Sequence, residues 1–343
     1  MGKTTFCLET EVSALKLSKF HVFEIILSII AILYLSVEIQ TSQIFYSLSN
    51  IEISWYFLIF LGFLIKFVAK SLKLRVLFED RISFTTAFII TLKYNFYQNF
   101  VPFKAGDLTL VPMAKKEGFD SDISFGAIII NNSTLYLLSS LLLFLFSTIY
   151  IVFFGIEVKI ELMLFALVLI ISNILLLFLL FKPETFIRGY EIVTTKFKIN
   201  KINAVSKSIE FLNKTALSIH KIRSNRSLFI RVIFYSLLTL LTQIPIYWAS
   251  LEAVGFALHP IESMTFTFYF FFIQNLPIDL FLSFGKFEIA WAAFWVYAGY
   301  SFNEQLNLSF VMHAIHLILI LLFGILGWIF DLLFSYLRTK KGK

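Results

Sequence analysis

The residues of this chain that could do chemistry stand where the surrounding sequence is least hospitable to them. The apolar stretch Phe84 to Val101 is interrupted by Lys93, Asn95 and Asn99, and just beyond it come Pro102, Lys104, Gly106 and Asp107. A second stretch, Met264 to Gly299, is interrupted by Asn275, Pro277, Asp279, Lys286 and Glu288, with Gly285 beside the lysine. Ionisable groups are costly in hydrocarbon, so inside apolar segments they mark paths along which fixed charge stands in for water. Lys104, set between Pro102 and Gly106, offers an ammonium that can hold an anionic group as a point charge, with backbone amides near Gly106 as further donors. The bland alternative is a lysine that snorkels to the interface. Asp107 and Glu288 follow the two turns at matching places, where each can pair with a lysine or, left unpaired, take up a proton and couple movement to a proton gradient. Asp279 and Lys286 flank the second turn and can pair with each other.

Lys66 also falls inside an apolar run, so it is expected to face the protein interior. Asn95, Gln98, Asn99, Asn131, Asn132, Gln274 and Asn275 either tie helices together or line a polar groove. His313 and His316 are three apart but have no carboxylate or cysteine at ligand spacing, and read as a structural pair rather than a metal site. The chain has no Walker A, HExxH or Gly-x-Ser-x-Gly sequence. No catalytic pair, cofactor or metal is therefore expected, and the chain is read as a non-enzyme.

The elements that must position these residues are membrane helices. The chain is 59% hydrophobic and only 15% charged, with a mean hydropathy of +0.84, far from the quarter or so of charged residues usual in water. Runs such as Leu135 to Phe154 and Leu162 to Phe181 reach the roughly twenty residues that a bilayer-spanning helix needs. The net charge of +7 is scattered over a few polar stretches, which suits lipid headgroups and excludes a nucleic-acid face. Cys7 is the only cysteine, so no intrachain disulfide can form. The apolar stretch Phe20 to Val37 exceeds a signal-peptide core and is expected to remain as a first span.

Strong spans are expected at about 20–37, 54–70, 134–154, 161–181, 228–250 and 308–334, from hydropathy and window length. Lysine and arginine alternate between the loops: 38–53 has none, 70–81 has Lys70, Lys73, Arg75 and Arg81, 104–122 has Lys104, Lys115 and Lys116, and 182–226 is strongly basic. Residues 251–262 and 301–307 have none, and the C-terminal tail is basic. The positive-inside rule puts both termini in the cytoplasm of a cell-membrane protein. Residues 81 and 115 then share a side with one apolar stretch between them, so 84–115 must dip in and return. By the same count 263–300 enters and leaves from the opposite face, as a re-entrant hairpin or two short crossings. Paired broken segments of opposite entry point to a transport site near the midplane; an ordinary tilted or buried helix pair is the alternative.

The expected fold is therefore an all-α integral membrane protein, about six full spans plus two helical hairpins arranged as an inverted repeat. One polytopic domain covers 1–343, with a first half at 20–181, a cytoplasmic amphipathic linker at 182–226 and a second half at 227–336. In the linker Ile202, Val205, Ile209, Leu212, Ala216 and Ile219 form an apolar stripe, and Lys201, Lys207, Lys214 and Lys221 recur on the polar side, which suits a helix lying on the headgroup layer.

The segment Asn99-Phe-Val-Pro102-Phe-Lys104-Ala-Gly106-Asp107, followed by a basic pair and Gly118, resembles the Pro-Gly-Arg-x-Gly-Glu signature of the lysylphosphatidylglycerol synthase transmembrane region, a flippase-like family. Leu276-Pro277 through Gly285-Lys-Phe-Glu288, then Gly299 and a last span with Gly324 and Gly327, is similar to its second signature. The departures bear on mechanism: Lys104 stands for arginine, Asp107 for glutamate, Leu110 for a further arginine, and Asn131-Asn132 for a Glu-Arg pair. The glycine pair of the second signature is missing and its spacing is one residue longer. The resemblance implies a membrane domain that moves a lipid with a charged headgroup between leaflets: a phospholipid, an aminoacyl-phospholipid or a polyprenyl-phosphate glycolipid. Substrate-binding roles would fall to Lys93, Asn99, Pro102, Lys104, Gly106, Asp107, Asn275, Pro277, Gly285, Lys286 and Glu288. Relatives carry a cytosolic aminoacylating domain after the membrane region, which is not expected beyond Arg338 to Lys343. Partners would be membrane lipids with anionic or zwitterionic headgroups, with a lipid-modifying enzyme or further copies of the chain left open. The alternative function is a non-transporting membrane partner of a glycosyltransferase or lipid synthase.

Overall fold

The computed structural model describes residues 41–101, 105–154, 167, 168, 170, 171, 174, 181–197, 203–275, 286–297 and 300–341. The expected first span, most of the fourth, and the two hairpin tips lie outside the described residues. The described elements are helical and no strand occurs among them: α1 (Thr41–Asn50), α2 (Ile53–Leu77), α3 (Phe84–Phe100), α4 (Ala105–Leu108), α5 (Leu110–Lys116), α6 (Ser121–Phe154), α7 (Pro183–Lys196), α8 (Asn203–Ser224), α9 (Arg226–Leu241), α10 (Gln243–Ala253), α11 (Pro260–Asn275), α12 (Lys286–Tyr297) and α13 (Phe302–Lys341). Three stretches among the described residues, Ser121–Phe153, Arg226–Ala253 and Glu304–Leu337, are long and apolar enough to cross a membrane. The protein is thus a helical membrane protein.

Local chemistry explains the boundaries. Ser83 caps α3 by accepting from the Thr86 amide at 3.1 Å, and Asn225 caps α9 through the Leu228 amide at 3.2 Å, each satisfying a donor that the first turn leaves free. The span at 226–253 is broken at Thr242, because Pro245 has no N–H for the carbonyl four residues back. Pro112 stands in the same relation to the break at Thr109 between α4 and α5.

Helix α2 runs to Leu77, seven residues past the expected end of its span, so Lys70 and Lys73 belong to the helix and not to the following loop. That loop turns through Glu79 and Asp80, both with positive φ, at 54° and 57°. Both side chains are held: Glu79 by Lys221 at 2.8 Å and Arg81 at 3.2 Å, Asp80 by Arg231 at 2.6 Å. Burial pulls the Glu79 carboxyl up, but the Lys221 and Arg81 contacts outweigh it and leave it below its ordinary range.

Among the described residues, four groups of buried side chains form the core. The first joins the end of α2, α3, α5, the start of α6, the end of α8 and α9 through Leu77, Phe78, Ile90, Ala114, Ile128 and Ile219. The second packs α2 against α10 and α13, the third packs α10 to α13, and the fourth joins α6, α9 and α11. Within α8, Ala216, Ile219 and Ile222 are buried while Lys207, Lys214 and Lys221 are exposed. Of the expected stripe, Val205, Ile209 and Leu212 are half-buried and Ala216 and Ile219 buried, Lys201 and Ile202 lie outside the described residues, and the helix packs against α6. Outward positions remain apolar, such as Phe57 and Ile65 on α2, Leu145 on α6 and Ile329 on α13, as a lipid-facing surface requires.

Candidate functional site

Five helical elements each turn a polar stripe inward at spacings of three and four, the repeat that places side chains on one helix face. These are Lys66, Lys70 and Lys73 on α2; Thr91, Tyr94, Asn95 and Gln98 on α3; Asn131, Asn132 and Tyr136 on α6; Thr239, Gln243 and Tyr247 across the α9–α10 break; and His313 and His316 on α13. Together with Asn99, Asp107 and Phe287 they line one cavity of ≈ 160 Å³. Apolar side chains, among them Leu74, Leu77, Leu317 and Ile320, complete its wall.

On the first-half side Asp107 is the focus. Its Oδ1 accepts from Tyr94 Oη at 3.1 Å and Gln98 Nε2 at 2.6 Å, and its Oδ2 accepts from Asn132 Nδ2 at 3.1 Å. Asn132 in turn accepts from Asn131 Nδ2 at 2.8 Å. Lys70 donates to Asn95 Oδ1 at 2.7 Å and lies within electrostatic reach of Asp107. Lys66 donates to Gln243 Oε1 at 3.3 Å and stands 4.8 Å over the Phe63 ring. Lys73 is 2% exposed, and its Nζ has no hydrogen-bond partner among the described residues.

On the second-half side, His313 Nδ1 and the fully buried Glu288 Oε1 are 2.6 Å apart, and the His313 ring stacks on Phe287 at 4.3 Å. His316 Nε2 is 3.3 Å from Ser250 Oγ. Glu288 is thus engaged by His313, and the histidines that the spacing marked as structural line the cavity. Among the described residues no group of three or more histidines, cysteines or carboxylates could hold a metal ion.

The structure brings some of the expected site residues together and not others. Asn99 and Asp107 line the cavity. Gly106 is buried against α3: a Cβ there would meet Tyr97 O at 2.3 Å and Gln98 Cα at 2.7 Å. Only glycine lets the chain return this closely and present Asp107 to α3. Lys93 leaves the group, because its ammonium meets Asp331 Oδ2 at 2.5 Å in a separate cleft between α3 and α13. Asn275 ends α11 and Lys286 begins α12. Pro102, Lys104, Pro277, Asp279 and Gly285 lie outside the described residues.

Sequence reasoning missed Lys70 and Lys73, which an apolar window assigns to a loop. The signal that could have found them is their helical register with Lys66. Gln243, Tyr94 and Tyr136 were not singled out either, since a lone glutamine or tyrosine in an apolar run carries no distinctive spacing.

Walled by aliphatic side chains, the cavity offers ammonium groups, amide and phenol donors, a hydrogen-bonded carboxylate and the imidazoles of His313 and His316, the former held by Glu288 behind the lining. Such a set can hold a charged, hydrogen-bonding group away from bulk water. No curated protein and no solved structure matches the chain. The family model for the lysylphosphatidylglycerol synthase TM region, by contrast, matches residues 21–324. That match spans the helices that build the cavity, and the chain belongs to the lysylphosphatidylglycerol synthase transmembrane-region family.

Proposed function

We propose that this chain, a membrane domain of lipid-related function by its family, is a translocase that moves a lipid with a charged headgroup between leaflets. One observation carries the reading: a single polar cavity is lined from both halves of the chain, by Asp107 beside α3 and by Phe287 and His313 from α12 and α13. Drawing a headgroup through hydrocarbon requires polar groups that replace its water at each depth, and interrupted helices supply them where they converge. The architecture that goes with this reading is six crossings with two hairpins that enter from opposite faces as an inverted repeat. The headgroup would pass between the Asp107 cluster and the Glu288–His313 pair while the acyl chains stay in lipid. The chain itself would form and break no covalent bond.

The test is headgroup movement in reconstituted vesicles, read as dithionite bleaching of a fluorescent phospholipid. The wild-type chain is expected to raise the bleached fraction above that of empty vesicles. Glu288→Ala and Lys104→Ala should each slow the movement at least tenfold with expression intact. Rates equal to wild type in both variants would remove the two residues from the path, and a wild-type rate equal to that of empty vesicles would end the translocase reading.

A further inference from the structure

Lys66, Lys70 and Lys73 are spaced by four and three, so all three ammonium groups point from one face of α2 into the same cavity. Like charges so placed repel one another, and among the described residues that line the cavity Asp107 is the only carboxylate to set against the three of them. Lys66 and Lys70 have amide oxygens of Gln243 and Asn95 as partners. Asp107 accepts from three neutral donors and acts at a distance on Lys70 alone of the three, while Glu288 is held against His313 and does not line the cavity. Lys73 is the sharpest case, since its Nζ is buried and has no hydrogen-bond partner among the described residues. A buried ammonium without a counter-charge or acceptor is costly, and the cost disappears when an anion enters.

We propose that these three lysines form a binding site for the phosphate of a lipid whose headgroup carries net negative charge. The assignment of the ligand as a transported lipid rests on the translocase reading; the anion site itself does not. Lysine ammonium groups hold phosphate as point charges with rotatable donors, and three of them match a group that can carry more than one negative charge. The aliphatic side chains of Leu74, Leu77, Leu317 and Ile320 on the same wall suit the glycerol and first methylenes of a lipid and give free phosphate nothing to bind. An aminoacyl headgroup would bring a further ammonium into a site already rich in them. The site therefore selects anionic phospholipids, or lipids ending in a phosphate, over aminoacyl ones.

The experiment measures binding to the full chain in an uncharged maltoside detergent, with no transport required. The probes are dihexanoyl phosphatidic acid, dihexanoyl phosphatidylcholine, the lysyl ester of dihexanoyl phosphatidylglycerol, and inorganic phosphate. Phosphatidic acid is expected to bind at least tenfold more tightly than each of the other three. Lys73→Met should weaken that binding at least tenfold while the Tm stays equal or rises, because the buried charge is gone. Lys70→Gln, which keeps a hydrogen-bonding group towards Asn95, should weaken it as well, and decides the matter should Lys73→Met fail to fold. Binding by both variants as tight as wild type would overturn the site. Equal affinity for the lysyl ester would overturn the selection for negative charge, and equal affinity for inorganic phosphate would overturn the lipid assignment. Wild-type protein that binds phosphatidic acid in this lysine-dependent way but moves no lipid in vesicles would remove the translocase reading and leave the anion site standing. Lipid movement with no lysine-dependent binding would do the reverse.

Discussion

Lys93 and Asp331 meet at 2.5 Å across α3 and α13, with Lys93 12% exposed and Asp331 44% exposed at the side chain. The ammonium is the more deeply placed partner, so removing the carboxylate harms it more than removing the lysine harms the carboxylate. Asp331→Asn is expected to lower stability by about 1 kcal/mol, discounted for the solvent that reaches Asp331. The charge-reversed pair Lys93→Asp with Asp331→Lys should recover part of the loss, and both are read by thermal unfolding in detergent. A single variant as stable as wild type would mean that the pair contributes nothing. Lys93 was legible in the sequence as a charge that must face inward, but its partner was not, because the two lie 238 positions apart and spacing carries no record of such a contact. Lys66 was legible for the same reason as Lys93. Lys70 and Lys73 were hidden by theirs, since positive charges at the end of an apolar run look like a loop unless the helix is known to continue.

At the scale of elements, the close approach of α13 to α3 depends on two glycines. A Cβ on Gly324 would stand 2.8 Å from Phe96 Cδ2 and 2.9 Å from Phe96 Cβ, and one on Gly327 would stand 2.9 Å from Leu92 Cβ and 3.3 Å from the Lys93 backbone nitrogen. The last span thus lies against the helix that carries Tyr94, Asn95 and Gln98, and separation of the two would open the cavity wall. Gly327→Leu should cost about 1–3 kcal/mol through overpacking. Gly189→Ala on α7, where a Cβ would meet nothing within 4 Å, should be neutral or gain about 0.5 kcal/mol. Thermal unfolding of the two variants side by side checks both, and equal stability would show that α3 and α13 can part without cost. Helix identity was largely legible at this scale, including α3 at 84–100 and the amphipathic α8. Boundaries were less so. Helix α6 starts thirteen residues before its apolar window, at Ser121, because its first turns are covered by α8 and need not be apolar to be buried. The break at Thr242 was signalled only by Pro245, inside a run whose hydropathy gives no hint of it.

For the whole molecule, the decisive feature is how the chain returns after α3. Phe78, before α3, and Phe119, after α5, meet with ring centroids 4.5 Å apart and planes tilted by 49°, and Ser83 lines a cleft together with Lys116 and Glu117. Both ends of the segment 84–115 therefore lie close together, which is the arrangement that a re-entrant segment, expected from the charge alternation between loops, requires. Glu79 and Asp80, in the turn before α3, bind Lys221 of α8 and Arg231 of α9. Both hairpins are expectations from parity, and residues 102–104 and 276–285 at their tips lie outside the described region. In a Cys7→Ser background, single cysteines at exposed positions 83 and 115, made as Ser83→Cys and Lys115→Cys, should react with a membrane-impermeant maleimide from the same face, the cytoplasmic one. A cysteine replacing His259, in a loop without lysine or arginine, should react only from the other. Labelling of 83 and 115 from opposite faces would turn the first hairpin into a crossing. The Asp107 cluster would then lie at a membrane surface instead of within it, and the cavity could not carry a headgroup across.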